Sequence, residues 1–162
     1  MSEKHMIQTQ DSQWKLYVDG SSTETSSGAG IILVSLNGVK LSCVVHFKLK
    51  VTNNQAEYEA LLSGLRLAKE VSARHLTIYI DSQLVVSQIN LEFQAKGEKM
   101  ASYLEKVKEA MDQFDTMTII QVPRAENANA DTLAHLAIGL EERLLKTVPI
   151  KVLETPSIDK PE

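Results

Sequence analysis

The chain has few of the features that mark special classes of protein. Its single cysteine, Cys43, cannot form an internal disulfide, and the cysteine and four histidines lack the spacing of zinc ligands. No apolar run approaches the roughly 20 residues of a membrane helix, and the polar N-terminus has no apolar stretch typical of a secretory signal. Basic residues are outnumbered, 17 against 21 acidic, which gives a net charge of -4. This balance argues against a strong free-standing nucleic-acid binder.

The remaining composition is that of an ordinary globular domain. The 162 residues are 43% hydrophobic and 23% charged, which suits one domain with its own core. Residues 1–12 are polar and contain a His-Met pair that resembles a cloning junction, so we expect them to be disordered or of cloning origin. Residues 13–145 are predicted to form the domain. Residues 146–162 contain three prolines and no helical period, so they are predicted to be a linker or tail outside the core.

Hydrophobic periodicity predicts five strands and four helices in the order βββαβααβα. Two β-branched runs within residues 30–50 are joined by Asn37-Gly38, a strong hairpin signal. A hairpin-linked triplet of strands followed by βα units implies an α/β fold, a mixed sheet flanked by helices. The other predicted strands are 14–22, 75–80 and 117–122, and the predicted helices are 54–70, 81–90, 98–114 and 127–145.

Four acidic residues lie at predicted strand ends and helix starts. Asp19 and Asp81 end strands, whereas Glu57 and Asp131 lie in the first turns of helices. Each has an ordinary structural explanation, such as an Asp-Gly turn, a helix cap or a favourable interaction with the helix dipole. Taken together, the four acids favour a shared functional site, because strand C-termini and adjoining helix starts meet at one edge of such a sheet.

The first predicted helix carries two glutamates, which its periodicity separates. Asn54 is predicted to be the N-cap, with Glu57 able to complete a capping box. Steps of four, seven and eight residues from Glu57 reach the apolar face, whereas similar steps from Glu59 reach Ser63 and Arg66. We therefore predict that Glu57 points toward the sheet and Glu59 toward water.

An inward carboxylate is costly unless it is paired or bound to metal. No lysine or arginine accompanies Glu57 on its face of the helix. A cluster of such acids offers the oxygen ligands that hard divalent ions such as Mg²⁺ prefer. A metal site is the favoured interpretation.

Four stretches of the sequence resemble the type 1 ribonuclease H family over about residues 14–140. They read YVDGSS, TNNQAEYEAL, DSQLVV and PRAENANADTLAHLA, with the acids in the order Asp, Glu, Asp, Asp. This ordered set is more specific than any single stretch. The last stretch and the proline-containing tail also resemble the ribonuclease H domain of plant Ty3/gypsy long-terminal-repeat retrotransposon polyproteins.

The resemblance implies a ribonuclease H-like fold, a five-stranded mixed sheet flanked by helices. It also implies endonucleolytic hydrolysis of the RNA strand of RNA–DNA hybrids with two Mg²⁺ or Mn²⁺ ions, leaving 5′-phosphate and 3′-hydroxyl ends. By motif, the catalytic and metal-binding residues would be Asp19, Glu57, Asp81 and Asp131. Asp19 would bridge the ions, Glu57 and Asp81 would complete one site, and Asp131 would help to hold the other.

The resemblance also implies substrate contacts. Thr52 would bind a phosphate of the DNA strand, and Gly20 and Ser21 would contact the RNA backbone. Three amides would face the minor groove, where they can read base edges and 2′-hydroxyls: Asn53, Asn54 and Gln83. Helix capping is the structural alternative for the amides. Phe93 matches an aromatic that stacks on a nucleotide in some members, but a core or interface position is the favoured interpretation.

The sequence departs from the family in two places. The loop VPRAEN lacks the histidine that many members carry before the last acid, so Arg124 and Glu126 are accessory candidates and His135 is interpreted as structural. Residues 91–100 hold only two lysines where cellular members have a basic helix. We therefore expect hybrid affinity to depend on a tethered reverse transcriptase domain.

Two alternatives stay open. The chain could be a catalytically weak or inactive ribonuclease H-like binding or packing module of a polyprotein. It could also be a structural α/β domain whose acids are caps and turns, although the inward Glu57 is then unexplained. The favoured interpretation predicts no membrane partner and a cytoplasmic location, including retroelement particles, and leaves the oligomeric state unknown.

Overall fold

The computed structural model describes residues 13–23, 26–48, 51–90, 98–130, 150–153 and 156–159. Their strands form one mixed sheet in the order β5-β4-β1-β2-β3-β6. β2 is antiparallel to both β1 and β3, whereas the pairs β1–β4, β4–β5 and β3–β6 are parallel. The strands are β1 Trp14–Ser22, β2 Ser27–Val34, β3 Lys40–Phe47, β4 His75–Ile80, β5 Thr116–Gln121 and β6 Ile150–Leu153.

Helices connect the later strands. They are α1 Asn53–Glu70, α2 Gln83–Asn90 and α3 Glu98–Met111. α1 packs on β1 and β2, and α3 packs on α1. A short 3-10 turn, Arg124–Asn127, leads into a helix that begins at Ala128. Residues 131–145 of the predicted last helix lie outside the described residues. No helix among those described is both long and apolar enough to span a membrane.

The contact between β1 and α1 lies at the centre of the core. Leu16 and Val18 of β1 are fully buried, as is Leu61 of α1. Burying a side chain of this kind contributes about 2 kcal/mol. Gly64 lets the helix approach the strand, because a Cβ at this position would lie 2.9 Å from Cδ2 of Leu16. This contact fixes α1 over the strand that carries Asp19.

The predicted hairpin between β2 and β3 is confirmed. The Ser35 N–H donates to the carbonyl oxygen of Val39 at 2.8 Å, which closes the turn. Gly38 has a φ of 87°, a conformation that costs glycine little because it has no Cβ.

The start of α1 differs from the prediction. Thr52 is the N-cap: its Oγ1 accepts from the Gln55 N–H at 3.2 Å, and Gln55 Oε1 accepts from the Thr52 N–H at 3.0 Å. The predicted cap at Asn54 is therefore wrong, because the Thr52–Gln55 capping box already satisfies these backbone donors. Glu57 consequently has no capping role.

The C-terminal segment also differs from the prediction. Ile150–Leu153 pairs with β3, Leu153 is buried, and the Lys48 N–H donates to the Leu153 carbonyl oxygen at 2.8 Å. A 3-10 turn, Ser157–Asp159, packs on α3. The interpretation of this tail as lying outside the core is wrong for these residues, because a short apolar run completes the open edge of β3. The domain limits at residues 12 and 145 stay predictions.

Candidate active site

Three carboxylates meet where β1 and β4 end. Asp19 lies in β1, Asp81 directly follows β4, and Glu57 lies in the second turn of α1. One oxygen from each lies within 4.8 Å of the others. β1 and β4 are parallel neighbours, so their C-terminal ends share one edge of the sheet. The structure thus brings together three of the four predicted acids. Asp131 lies outside the described residues, and its part in the site stays a prediction.

Glu57 points inward, as its helical position predicted. Its side chain is 7% exposed and that of Asp19 is 4% exposed. The Gly20 N–H donates to Glu57 Oε1, and Asp19 shares a side-chain hydrogen bond with Glu57. The carboxylate is therefore held between the end of β1 and the start of α1.

Gly20 of β1 lies very close to the backbone of α1. A Cβ on Gly20 would lie 2.2 Å from the carbonyl oxygen of Ala56. This distance is too short for any residue with a side chain at this position. The absence of a side chain lets the Gly20 N–H reach Glu57. Gly20 therefore acts on the acid cluster through its backbone, and its predicted contact with nucleic acid stays a prediction.

The electrostatics of the cluster favour binding of a cation. Burial raises the pKa of Glu57 from 4.5 to about 8, and the negative charge of Asp81 adds to this rise. The Gly20 N–H, the Arg124 guanidinium and the Asp19 hydrogen bond act in the opposite direction, so burial dominates. Without a bound cation, Glu57 therefore holds a proton at neutral pH.

Asp81 has an oxygen available for a ligand. Its Oδ2 is buried and has no hydrogen-bond partner among the described residues. The predicted capping role falls to the neighbouring residue, since Ser82 Oγ accepts from the Val85 N–H at 3.3 Å. Oxygen donors alone, an unsatisfied buried carboxylate oxygen and closely spaced acids are the features that a hard divalent cation requires. The residues present fit such an ion.

The acids open into a cavity of about 310 Å³ whose rim holds several of the predicted substrate contacts. Ser21, Asn53 and Asn54 line it. Asn53 Oδ1 accepts from the Ser22 N–H at 3.0 Å, which links the start of α1 to the end of β1. Thr52 and Gln83 are exposed and adjoin lining residues in the sequence. The predicted contact residues thus lie beside the acids, with their roles toward nucleic acid untested.

The two accessory candidates in the loop before the last acid lie in different places. Arg124 is exposed and lines the acidic cavity, the only lysine or arginine among the described residues that do so. Glu126 instead lies near Tyr17, whose pKa is raised mainly by burial and further by Tyr79 and Glu126. Only Arg124 is placed where it could meet a phosphate at the acids.

Asn127 was not expected from the sequence. Its side chain is 1% exposed, and its Nδ2 donates to the carbonyl oxygen of Val18 at 2.8 Å. This bond ties the turn before the last helix to β1, directly beside Asp19. An asparagine in a polar loop gives no signal of burial, so sequence reasoning could not have identified it.

Glu59 does not lie where the sequence predicted. It was predicted to face water, yet its side chain is fully buried and accepts a hydrogen bond from Tyr103 Oη at 2.6 Å. The reason is that α1 is covered on both sides, by the sheet on one and by α3 and the C-terminal segment on the other.

Phe93 and His135 lie outside the described residues.

Comparison with known proteins gives consistent results. Residues 17–137 match the family described as reverse transcriptase-like. The ribonuclease HI of Halobacterium salinarum is 32% identical over 124 residues, which cover 75% of this chain and 62% of that protein. The crystal structure of ribonuclease H1 from the same organism is similar with a TM-score of 0.69 and 31% identity, over 77% of this chain and 96% of that one.

Two further structures share the fold. The N-terminal ribonuclease H domain of a Mycobacterium tuberculosis protein is 26% identical with a TM-score of 0.69, over 78% of this chain and 94% of that one. A ribonuclease H1 named LC11, solved in complex with RNA/DNA hybrid, is 24% identical with a TM-score of 0.71, over 78% of this chain and 96% of that one.

These likenesses confirm the predicted five-stranded mixed sheet, to which β6 is an addition. The chain spans 62% of the length of the Halobacterium relative and 31% of several mycobacterial relatives. In these relatives the similarity thus concerns only part of a longer protein.

Proposed function

The chain belongs to the reverse transcriptase-like family and has a ribonuclease H-like fold, and from this premise we propose that it hydrolyses the RNA strand of RNA–DNA hybrids. The observation that carries the proposal is the cluster of Asp19, Glu57 and Asp81 at the ends of two parallel strands. The relative named ribonuclease HI and the neighbour solved with an RNA/DNA hybrid support the choice of substrate.

The acids would hold divalent metal, with Asp131 as the fourth ligand; we propose two ions, Mg²⁺ or Mn²⁺. Bound ions supply charge neutralisation at the phosphate and lower the pKa of an attacking water. The chain itself supplies placement. The Gly20 N–H and Asp19 fix the Glu57 carboxyl group, and burial raises its pKa, so a bound cation would have to displace a proton from it.

Residues at the rim of the cavity would recognise the hybrid. The amides of Asn53, Asn54 and Gln83 can donate to base edges and 2′-hydroxyls, and Thr52, Gly20 and Ser21 can contact the backbones. Arg124 is the one lysine or arginine among the described residues that lines the acidic cavity, so we assign it to a phosphate beside the reacting one.

We further propose that the domain serves a reverse transcriptase of a Ty3/gypsy-type retroelement in the cytoplasm, including retroelement particles. The net charge of -4 supports the dependence on a tethered polymerase domain, since a protein that binds hybrids by itself gains affinity from basic residues. Joining the polymerase domain should increase hybrid affinity at least tenfold, and equal affinity with and without it would contradict this part of the proposal.

Hybrid cleavage by matched variants tests the proposal. Glu57→Gln removes one ligand charge and keeps the shape, so cleavage of a labelled hybrid in Mg²⁺ or Mn²⁺ should fall at least a hundredfold. Glu105→Gln makes the same change at an exposed position of α3 and should leave cleavage unchanged. Absence of cleavage by the folded wild-type chain in either metal would favour the inactive packing module instead.

A further inference from the structure

Glu59 is a fully buried carboxylate that the proposed chemistry does not use. Besides the bond from Tyr103, it accepts two hydrogen bonds from one residue of the C-terminal segment. The Ser157 N–H donates to Oε2 at 2.9 Å, and the Ser157 hydroxyl donates to Oε1 at 2.6 Å. Burying a carboxylate is costly unless such donors satisfy it. Two of the three hydrogen bonds to its side chain therefore come from a residue 98 positions away in the sequence.

The same serine connects Glu59 to a cation. Arg66 Nη2 donates to the Ser157 hydroxyl, and Arg66 lies two turns after Glu59 on α1. The hydroxyl can accept this bond while donating to Glu59, so it lies between a carboxylate and a guanidinium in a chain of hydrogen bonds. Because the hydroxyl joins the two charges, its loss would leave Glu59 less well compensated.

We call the residues 150–153 and 156–159 the strap. At one end β6 pairs with β3, and at the other Ser157 binds Glu59 and Arg66. The matched family region ends at residue 137, so the strap lies beyond the shared domain. It nevertheless joins the sheet edge to the helix that carries Glu57.

We propose that the strap holds α1 in the orientation that directs Glu57 toward Asp19 and Asp81, with Glu59 as the positioning residue. Glu57 and Glu59 are about 200° apart around the helix axis. Gly20 therefore holds α1 from the side of the acids, and Ser157 holds it from the opposite side. An effect of the strap on hybrid cleavage rests on the proposed function, whereas an effect of the strap on metal affinity does not.

The test uses Ser157→Ala in the full chain, with Ser87→Ala on α2, away from the strap, as a control. Two quantities are measured. The first is exchange of two backbone amides, that of position 157, which donates to Glu59, and that of Lys48, which donates to β6. The second is Mg²⁺ affinity, measured by calorimetry. Loss of a hydrogen bond to a charged group should accelerate exchange about tenfold to a hundredfold. Mg²⁺ affinity should fall at least threefold, and the control should change neither quantity.

A strap that stabilises the fold without positioning Glu57 would change amide exchange but not Mg²⁺ affinity. If exchange accelerates while Mg²⁺ affinity stays at the wild-type value, the strap does not position Glu57 and the proposal is overturned. Unchanged exchange overturns it as well. Ser157→Thr keeps the hydroxyl and should restore both quantities. If Ser157→Ala does not fold, Arg66→Gln gives the same comparison, with smaller changes in the same direction. If the wild-type chain binds Mg²⁺ but does not cleave the hybrid, the proposed function is rejected and the proposal about the strap is unaffected.

Discussion

The raised pKa of Glu57 makes the stability of the metal-free protein depend on pH in an unusual direction. Between about pH 4.5 and about pH 8, the folded chain keeps a proton on Glu57 that the unfolded chain has released. The folded state therefore binds more protons, and the free energy of unfolding falls as pH rises through this window. A typical ion-paired carboxylate, whose pKa is lowered on folding, gives the opposite slope.

Glu57→Gln isolates this effect. The amide resembles the protonated acid, keeps an oxygen for the Gly20 N–H, and does not titrate. One pKa unit corresponds to about 1.4 kcal/mol, so a rise from 4.5 to about 8 corresponds to at most about 5 kcal/mol. The variant should exceed the wild type in stability by less than about 1 kcal/mol near pH 5 and by up to about 4 kcal/mol near pH 8.

Urea unfolding in the presence of EDTA, near pH 5 and near pH 8, measures the difference. Glu105→Gln, an exposed carboxylate, should change stability by no more than about 0.5 kcal/mol at either pH. Added Mg²⁺ should then stabilise the wild type near pH 8 and stabilise Glu57→Gln much less. If the difference in stability between wild type and Glu57→Gln is the same near pH 5 and near pH 8, the claim that burial raises the pKa of Glu57 is refuted.

Three further substitutions test neighbouring parts of the site. Gly20→Ala places a methyl group against the Ala56 backbone, so we expect urea unfolding to show a loss of at least about 1–3 kcal/mol; wild-type stability would disprove the close approach. Asn127→Ala removes the buried bond to Val18 and should cost about 1–3 kcal/mol, measured in the same way, and a neutral effect would remove its anchoring role. Arg124→Ala should lower kcat/KM for hybrid cleavage about three- to tenfold and change stability by less than about 0.5 kcal/mol, because the side chain is exposed; unchanged kinetics would exclude the phosphate contact.

Local sequence patterns predicted those features that depend on a single strand or helix and on the periodicity of its apolar residues. Asp19 follows the apolar run of β1, Asp81 directly follows β4, and the helical period placed Glu57 toward the sheet. Their convergence follows because parallel neighbouring strands end at the same edge.

The errors have a different origin, since they depend on contacts between distant segments. Glu59 is on the polar side of α1 by periodicity, and only α3 and Ser157 bury it. β6 is too short and too close to prolines to be identified before its partner β3 is known. At the start of α1, Thr52 and Asn54 were both suitable caps by residue type, and the capping box with Gln55 decided between them.

The most direct test of the central claim is to follow the RNA strand of an RNA–DNA hybrid in Mg²⁺ beside double-stranded RNA and double-stranded DNA of the same sequence. The assay is run at protein concentrations high enough to overcome weak binding. The account predicts cleavage of the hybrid's RNA strand alone, with 3′-hydroxyl and 5′-phosphate ends and no products in EDTA. Cleavage that persists in EDTA, or an intact RNA strand with folded protein in both Mg²⁺ and Mn²⁺, would contradict it.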